Sequence, residues 1–460
     1  MKIKSGAKKF CLLILCCGTI GLSNIFFHSP IELTNLLAAP QTASSSSAPV
    51  ISPAQQGFSI VWPSFRPFIE PLYGFAFYAL TLERTFYRPV LISWAVWTLL
   101  LVFLFCLLTK KTDIQTLIRL FYGLFLFASL IAFVVLFPLA GPKLVKPVGY
   151  ISVDFHSHTR FSYDNSSTES SSLRFHEQSG YDDFFITEHQ NTNSFSRFEE
   201  MGATNVFCGM QIQSSEGGVS VLLLSPGYFD GQLYQNLPLD EIIKKAHENG
   251  MLAVMPHWWK WHRYSFSELH ASGIDGFEIY NNGYRNFDEA ERQGLIDFSK
   301  ENNLLMIAST DWHGWGYMTD AWTVLKTDKF NFDDISKYAA SEEILLYRQE
   351  QSRSLFRFIF EPFAAYYYYI KNADTTQTVA FMVWFALIFA FMAFKPLRFV
   401  WKWLPLALSL AFAAAGVYYA VIFVPVYSVN KILLFNLMPA MFAMSGLWFV
   451  IWKLNGKTFQ

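Results

Sequence analysis

The chain has 460 residues, of which 52 % are hydrophobic, 18 % aromatic and only 15 % charged, against roughly 25 % charged in ordinary globular domains. Its net charge of −1 argues against nucleic acid as a partner, because such proteins carry a basic excess or patch. Of five cysteines, only Cys208 lies outside the apolar runs, which excludes a disulfide framework or a Cys-rich zinc site in the polar part of the chain.

The apolar excess is concentrated in runs close to the roughly 20 residues that a helix needs to cross a bilayer. In chain order they cover 10–27, 90–108, 120–139, 378–394, 404–424 and 432–452, giving six candidate spans. Lys2, Lys4, Lys8 and Lys9 precede the first, and Lys110, Lys111 and Arg119 separate the second and third. Lys395, Arg398 and Lys402 follow the fourth, and Lys453 and Lys457 the last. Because Lys and Arg collect on the cytoplasmic side, these clusters put the long segment between spans three and four outside the cytoplasm. The expectation is a multi-pass membrane protein with membrane lipid as a partner and an extracytoplasmic domain. Residues 1–27 form an anchor or signal segment and 28–88 a Ser/Pro-rich linker followed by an interfacial aromatic piece. Residues 89–140 then hold two transmembrane helices, 148–327 the globular domain, 328–376 a connector and 377–453 three further transmembrane helices. Two aromatic segments, 62–87 and 358–371, each contain a Glu-Pro step, at Glu70-Pro71 and Glu361-Pro362. A weak duplication and chance in an aromatic-rich chain account for this equally well.

Within the globular segment, strand-like runs at 151–155, 183–187, 205–212, 219–224, 252–255, 273–279 and 304–308 alternate with helical patterns at 170–179, 239–249 and 287–302. Such alternation predicts parallel βα units, and units of this kind closed into a barrel carry their site at the C-terminal ends of the strands. The polar residues follow that rule. His156 and His158 end the first strand, Glu188 and His189 the second, His257 the fifth, and Asp311 and His313 the seventh. With Asp164 they supply about the number of imidazole and carboxylate ligands that two divalent ions need. A two-ion site suits hydrolysis of a phosphate ester by a metal-activated water. His176 and His247 lie on helical patterns and read as plain helix residues, so that His176→Ala is expected to leave metal and activity intact. His262 and His270 read as loop residues, and Trp258, Trp259, Trp261 and Trp312 as a pocket wall or membrane-facing rim.

The stretch Val153-Asp154-Phe155-His156-Ser157-His158-Thr159, with Phe161-Ser162-Tyr163-Asp164 after it, resembles the opening motif of the PHP (polymerase and histidinol phosphatase) family of metal-dependent phosphoesterases. Gly180 to His189 resembles that family's second motif, with Glu188 where Asp is usual; Pro256-His257 resembles the third, and Ser309-Thr310-Asp311-Trp312-His313 the last. The resemblance implies an α/β fold, a distorted (β/α)7 barrel set between the transmembrane segments. It also implies that His156, His158 and Asp311 hold one ion, that Asp164, His189 and His313 hold another, and that His257 belongs to a third position. These residues are expected to be catalytic through the ions, which are Zn, Mn or Fe. The bridging glutamate of the family is replaced by Gln211, a neutral and poorer bridge, for which Glu216 could substitute. Glu188, Gln211 and Glu278 are expected to support the ligands, and Arg160 and Arg263 to contact phosphate, since guanidinium matches phosphate in bidentate fashion.

The reading is therefore a membrane-anchored phosphatase or phosphodiesterase acting on a phosphorylated small molecule, lipid or glycan. A catalytically silent metal-binding sensor or assembly domain is the alternative that Gln211 keeps open. A transporter with an accessory domain is disfavoured, because the spans hold few ionisable residues.

Overall fold

The computed structural model describes residues 32–38, 141–335 and 343–347 except 166, 217–218, 261–263, 284–287 and 315–318; it also describes 355–393 and parts of 53–70 and 92–107. The strands among them are β1 (Thr34–Asn35), β2 (Ser59–Val61), β3 (Lys143–Val145), β4 (Ile151–Ser157), β5 (Asp183–His189), β6 (Val206–Gln213), β7 (Ser220–Leu224), β8 (Leu252–Met255), β9 (Gly276–Asn281), β10 (Leu305–Ser309), β11 (Ala321–Leu325) and β12 (Glu343–Leu346). Ten of them form one sheet in the order β1-β12-β11-β4-β5-β6-β7-β8-β9-β10, and β2 and β3 pair separately as an antiparallel ribbon.

Successive side chains on a strand point to opposite faces, and the two faces here are covered differently. One face carries Ile151, Val153, Phe155, Phe185, Leu222, Val254, Leu305 and Ile307, packed on one another and on Phe330 and Phe332. The other carries Met210, Ile212, Leu223, Phe277 and Ile279 under Leu239, Ile242 and Ile243 of the helix Leu239–Glu248 and Leu295 and Ile296 of the helix Glu289–Glu301. The sheet thus curls around its first face and wears its helices on the second. The far edge returns to the start of the curl. A parallel bridge joins Ser157 to Trp312 just beyond β10, the Asp311 amide donates to the His156 carbonyl at 2.8 Å, and the His158 amide donates to the Trp312 carbonyl at 3.2 Å.

This corrects the expected (β/α)7 barrel between membrane spans. The structure is a mixed α/β fold with a curled ten-stranded sheet: β4-β5-β6 and β8-β9-β10 are parallel, whereas β7 is antiparallel to both its neighbours. The link from β6 to β7 is too short for the dozen or more residues that a parallel crossover requires. A hairpin results, with Gly209 opposite Leu224. Strands β11, β12 and β1 extend the sheet by antiparallel pairing, so segments on either side of 148–327 join the same sheet.

The multi-pass expectation is corrected as well: among the described residues no helix is long and apolar enough to cross a membrane. The candidate spans 10–27, 120–139, 404–424 and 432–452 lie outside the described residues, and 90–108 is described only in part. The run 378–394 falls on the helix Thr375–Ala393. That helix buries Phe381 beside Tyr369, and the turn before it is tied down by charge. Arg66 pairs with Glu70 at 2.8 Å and with Asp374 at 3.0 Å, and the Tyr369 hydroxyl donates to Glu70 at 2.6 Å. A hydropathy window counts apolar residues without distinguishing lipid from protein as the medium that receives them. The two Glu-Pro segments, expected in a membrane interface, supply these buried contacts.

Candidate metal centre

The polar residues of the curled face sit at the C-terminal ends of the strands, above its apolar floor. His156 and His158 end β4, where the pairing with β5 shifts register between Asp154 and Ser157, and this irregularity lets both imidazoles turn the same way. Their Nε2 atoms are 3.0 Å apart. The Asp311 Oδ1 atom completes a triangle, 3.4 Å from His156 Nε2 and 3.2 Å from His158 Nε2. All three side chains are buried. Tetrahedral ligands about 2.0–2.1 Å from a zinc ion are spaced roughly 3.3–3.4 Å from one another, so the donor set fits a divalent ion. Asp311 itself has φ +47 and His257 φ +44, left-handed conformations that such residues adopt only when their surroundings hold them.

The remaining expected ligands gather around this triangle. His189 Nε2 lies 3.3 Å from Asp164 Oδ1, and His313 Nε2 lies 3.3 Å from Asp164 Oδ2. The rings of His189 and His313 lie 4.4 and 4.7 Å from that of His158. Asp164 Oδ1 and His189 Nε2 are buried atoms that face one another, as befits donors turned toward a shared point. His257 Nε2 stands 3.3 Å from Asp311 Oδ2. The donor atoms of His158, His189 and His313, of His156, His158 and Asp311, and of His156, His257 and Glu278 form three groups compact enough to hold an ion.

Of the expected supporting residues, Gln211 is at the centre, its Oε1 3.3 Å from His156 Nε2. Glu278 is fully buried; it meets His156 Nδ1 at 3.0 Å and accepts the His257 amide at 2.9 Å. Ser309 Oγ also donates to it. Glu188 holds the loop that carries the ligands, accepting from the Thr159 amide at 3.0 Å, from the Thr159 hydroxyl, and from Ser162 Oγ at 2.5 Å. Ser162 in turn meets His158 Nδ1 at 3.1 Å, and His313 Nδ1 donates to the Asp311 carbonyl at 2.6 Å. Fixing the second ring nitrogen in this way sets both tautomer and aim of a ligand.

Several other candidates are engaged by protein partners. Glu216 is exposed and accepts from Tyr264 at 2.9 Å, so the structure does not bring it to the histidines. The Arg160 guanidinium is taken up by Glu169 at 3.0 Å. Trp258 and Trp259 are core residues, and Trp312 is buried with its ring stacked on Phe175 at 4.1 Å, so these three face protein. Arg263, His262 and Trp261 lie outside the described residues. His247 pairs with Asp275 at 2.9 Å. His176, read as a plain helix residue, is buried against Asp154 at 3.0 Å, and Asp154 was not singled out at all. Its signal is a carboxylate two positions before His156, in a strand that alternates Ile151, Val153 and Phe155 with polar residues.

Charge within the cluster is strongly coupled. Burial disfavours the His156 cation, but Asp311 and Glu278 outweigh it and raise its pKa to about 9. His313 is raised in the same way against burial, by Asp311 and Asp164. Burial and the His189 ring push His158 well below its ordinary value. Burial would lift the carboxyl groups, yet His156 and His313 hold Asp311 low, His156 and His257 hold Glu278 low, and His189 and His313 hold Asp164 low. The consequence for the metal-free chain has a definite sign. The raised His156 and His313 stabilise the fold below the ordinary histidine value of 6.5, and that contribution is lost as pH climbs through their raised values, about 9 for His156. The lowered carboxyl groups stabilise it above about pH 4 and lose that effect in acid. Denaturant melts of chelated protein are therefore expected to show a falling midpoint between pH 6.5 and 9. Excess divalent metal should flatten the fall, because an ion replaces the protons. A midpoint independent of pH in the chelated protein would contradict this coupling.

No protein-family model and no curated protein matches the chain. Among solved structures it is similar to a metal-dependent phosphoesterase from Bifidobacterium adolescentis, at 16 % identity over 36 % of this chain and 88 % of that one, with a TM-score of 0.30. It is also similar to a two-domain protein from Bacteroides vulgatus that contains a PHP-like metal-dependent phosphoesterase, at 17 % identity over 46 % and 69 % with a TM-score of 0.36. A third is an amidohydrolase from Chromobacterium violaceum, at 12 % identity over 35 % and 87 % with a TM-score of 0.28.

Proposed function

We propose that this chain is a metal-dependent hydrolase of phosphate esters whose ions are held by His156, His158 and Asp311 and by Asp164, His189 and His313. The observation that carries the reading is the buried triangle of His156 Nε2, His158 Nε2 and Asp311 Oδ1, with sides of 3.0, 3.2 and 3.4 Å. When bound there, divalent ions such as Zn, Mn or Fe supply Lewis acidity and an activated water. The chain's own residues supply the aim. Glu278 orients His156, Ser162 orients His158, and Glu188 fixes Ser162. Substrate enters on the side of His189, His313 and Asp164, whose side chains are 17, 11 and 30 % exposed while those of His156 and His158 are closed off. The substrate class is a phosphorylated small molecule, lipid or glycan. The test is a panel of phosphomonoesters and phosphodiesters offered to the purified chain with and without chelator. Hydrolysis that is lost on chelation and regained with added metal supports the reading, and metal-independent hydrolysis opposes it.

One observation favours a second reading, a metal-binding domain without turnover: the neutral Gln211 amide stands where a carboxylate would draw two cations together. Tight metal binding with no hydrolysis across the panel would select that reading.

A further inference from the structure

Asp154, which holds no place in the ligand set, is bonded on both of its oxygens. It is fully buried on β4, and its two oxygens meet four partners. Oδ1 accepts the Thr310 amide at 3.0 Å and the His156 amide at 3.3 Å. Oδ2 accepts the Thr310 hydroxyl at 2.5 Å and faces His176 Nε2 at 3.0 Å. One carboxylate therefore grips the backbone at a ligand, His156, and at the residue immediately before another, Asp311. His176 is held in turn. Its Nδ1 donates to the Ser172 carbonyl at 2.8 Å within the helix Glu169–Ser179, and its ring lies flat on Phe184 with centroids 3.8 Å apart.

From this arrangement we infer that His176 and Asp154 are positioning residues for the metal centre: they lock the β4 strand to the left-handed turn at Asp311, so that the Asp311 carboxylate and the His156 imidazole face one point. Asp311 keeps φ +47 only while its neighbours over-determine it. Three of the four contacts of Asp154 fall on that junction or on His156, and His176 is the contact that ties the carboxylate to the helix outside it. A buried carboxylate satisfied on both oxygens holds its partners far more firmly than packing does. The inference rests on the metal-centre reading above.

The test is titration of the metal-free full chain with Co²⁺, followed by the ion's visible absorption, which reports ligand geometry independently of activity. His176→Gln keeps an amide donor near the place of Nε2, whereas His176→Leu fills the volume and removes the donor. Outer contacts of this kind are worth about 10–100-fold in metal affinity. His176→Leu is therefore expected to weaken Co²⁺ binding by about that factor and to alter the absorption band, and His176→Gln to restore both to near parent values. Should His176→Leu fail to fold, Thr310→Val, which removes the hydroxyl's bond to Asp154 and its 3.4 Å contact with the His156 carbonyl, carries the same expectation of weaker binding with an altered band. Parent-like binding and spectrum in His176→Leu or, failing it, Thr310→Val would overturn the positioning role, as would equal weakening in the Gln and Leu variants. A parent chain that binds no cobalt would overturn the metal-centre reading and this inference with it.

Discussion

Asp311→Ala is expected to leave the chain without tightly bound metal and without measurable phosphate-ester hydrolysis. The carboxylate is the meeting point of the cluster. Oδ1 lies 3.2 Å from His158 and 3.4 Å from His156, and Oδ2 lies 3.3 Å from His257. Removing it takes away an anionic ligand and leaves imidazoles that were raised or oriented by it without their counter-charge. Breaking a buried pair of this kind costs about 3–5 kcal/mol, so the metal-free variant should also unfold at lower denaturant. Elemental analysis and hydrolysis assays on the same preparation check both parts. His247→Ala is the matched control, since His247 is half-exposed and paired with Asp275 away from the cluster. His176→Ala, an inert control on sequence grounds, cannot serve, because that ring contacts Asp154. Retained metal in Asp311→Ala, or equal loss in His247→Ala, would show that the ion is held elsewhere.

Gln211→Glu is expected to act in the opposite direction. The amide oxygen already stands 3.3 Å from His156 Nε2, one corner of the triangle. A carboxylate there adds a full negative charge beside the cations and offsets their mutual repulsion. Affinity in oxygen-rich sites follows the ligand charge count, so metal should bind about tenfold more tightly or better, with a second ion retained at lower free concentration. Hydrolysis should rise with it if the second ion assists the reaction. Glu216, the other candidate bridge, is exposed and bonded to Tyr264 in this structure. An unchanged affinity and ion count at equal free metal would mean that Gln211 lies outside the ions' reach.

Much of the site was legible in the sequence because strand ends can be read from local pattern. Each of the seven expected strands forms, with ends within three residues of those expected, and the histidines and carboxylates placed after them do converge. Pairing direction was not legible in the same way. A run such as Ser220–Leu224 looks alike whether its neighbour is parallel or antiparallel, and the short link before it was outweighed by the repeating βα pattern. The short strands β1, β11 and β12 gain their stability from the sheet they join rather than from their own sequence. Asp154 and His176 escaped notice for a related reason. Each is ordinary on its own element, and their meaning lies in a contact between residues 22 positions apart. The membrane expectation at the helix Thr375–Ala393 rested on apolar composition alone, and the helix is covered by protein only in part, with Val379, Val383 and Leu387 exposed. Ala380 and Phe381 are buried within protein, and the Arg66, Glu70 and Asp374 charges beside them are paired.

The account stands most directly on the number of divalent ions bound per chain. Full-length protein, dialysed against metal and then against metal-free buffer, is expected to retain at least one divalent ion per chain by elemental analysis. His158→Ala should retain none at the same free concentration, because His158 Nε2 contributes to the buried triangle and its ring adjoins those of His189 and His313. A parent chain that retains no ion, or a His158→Ala chain that retains as many as the parent, would contradict it.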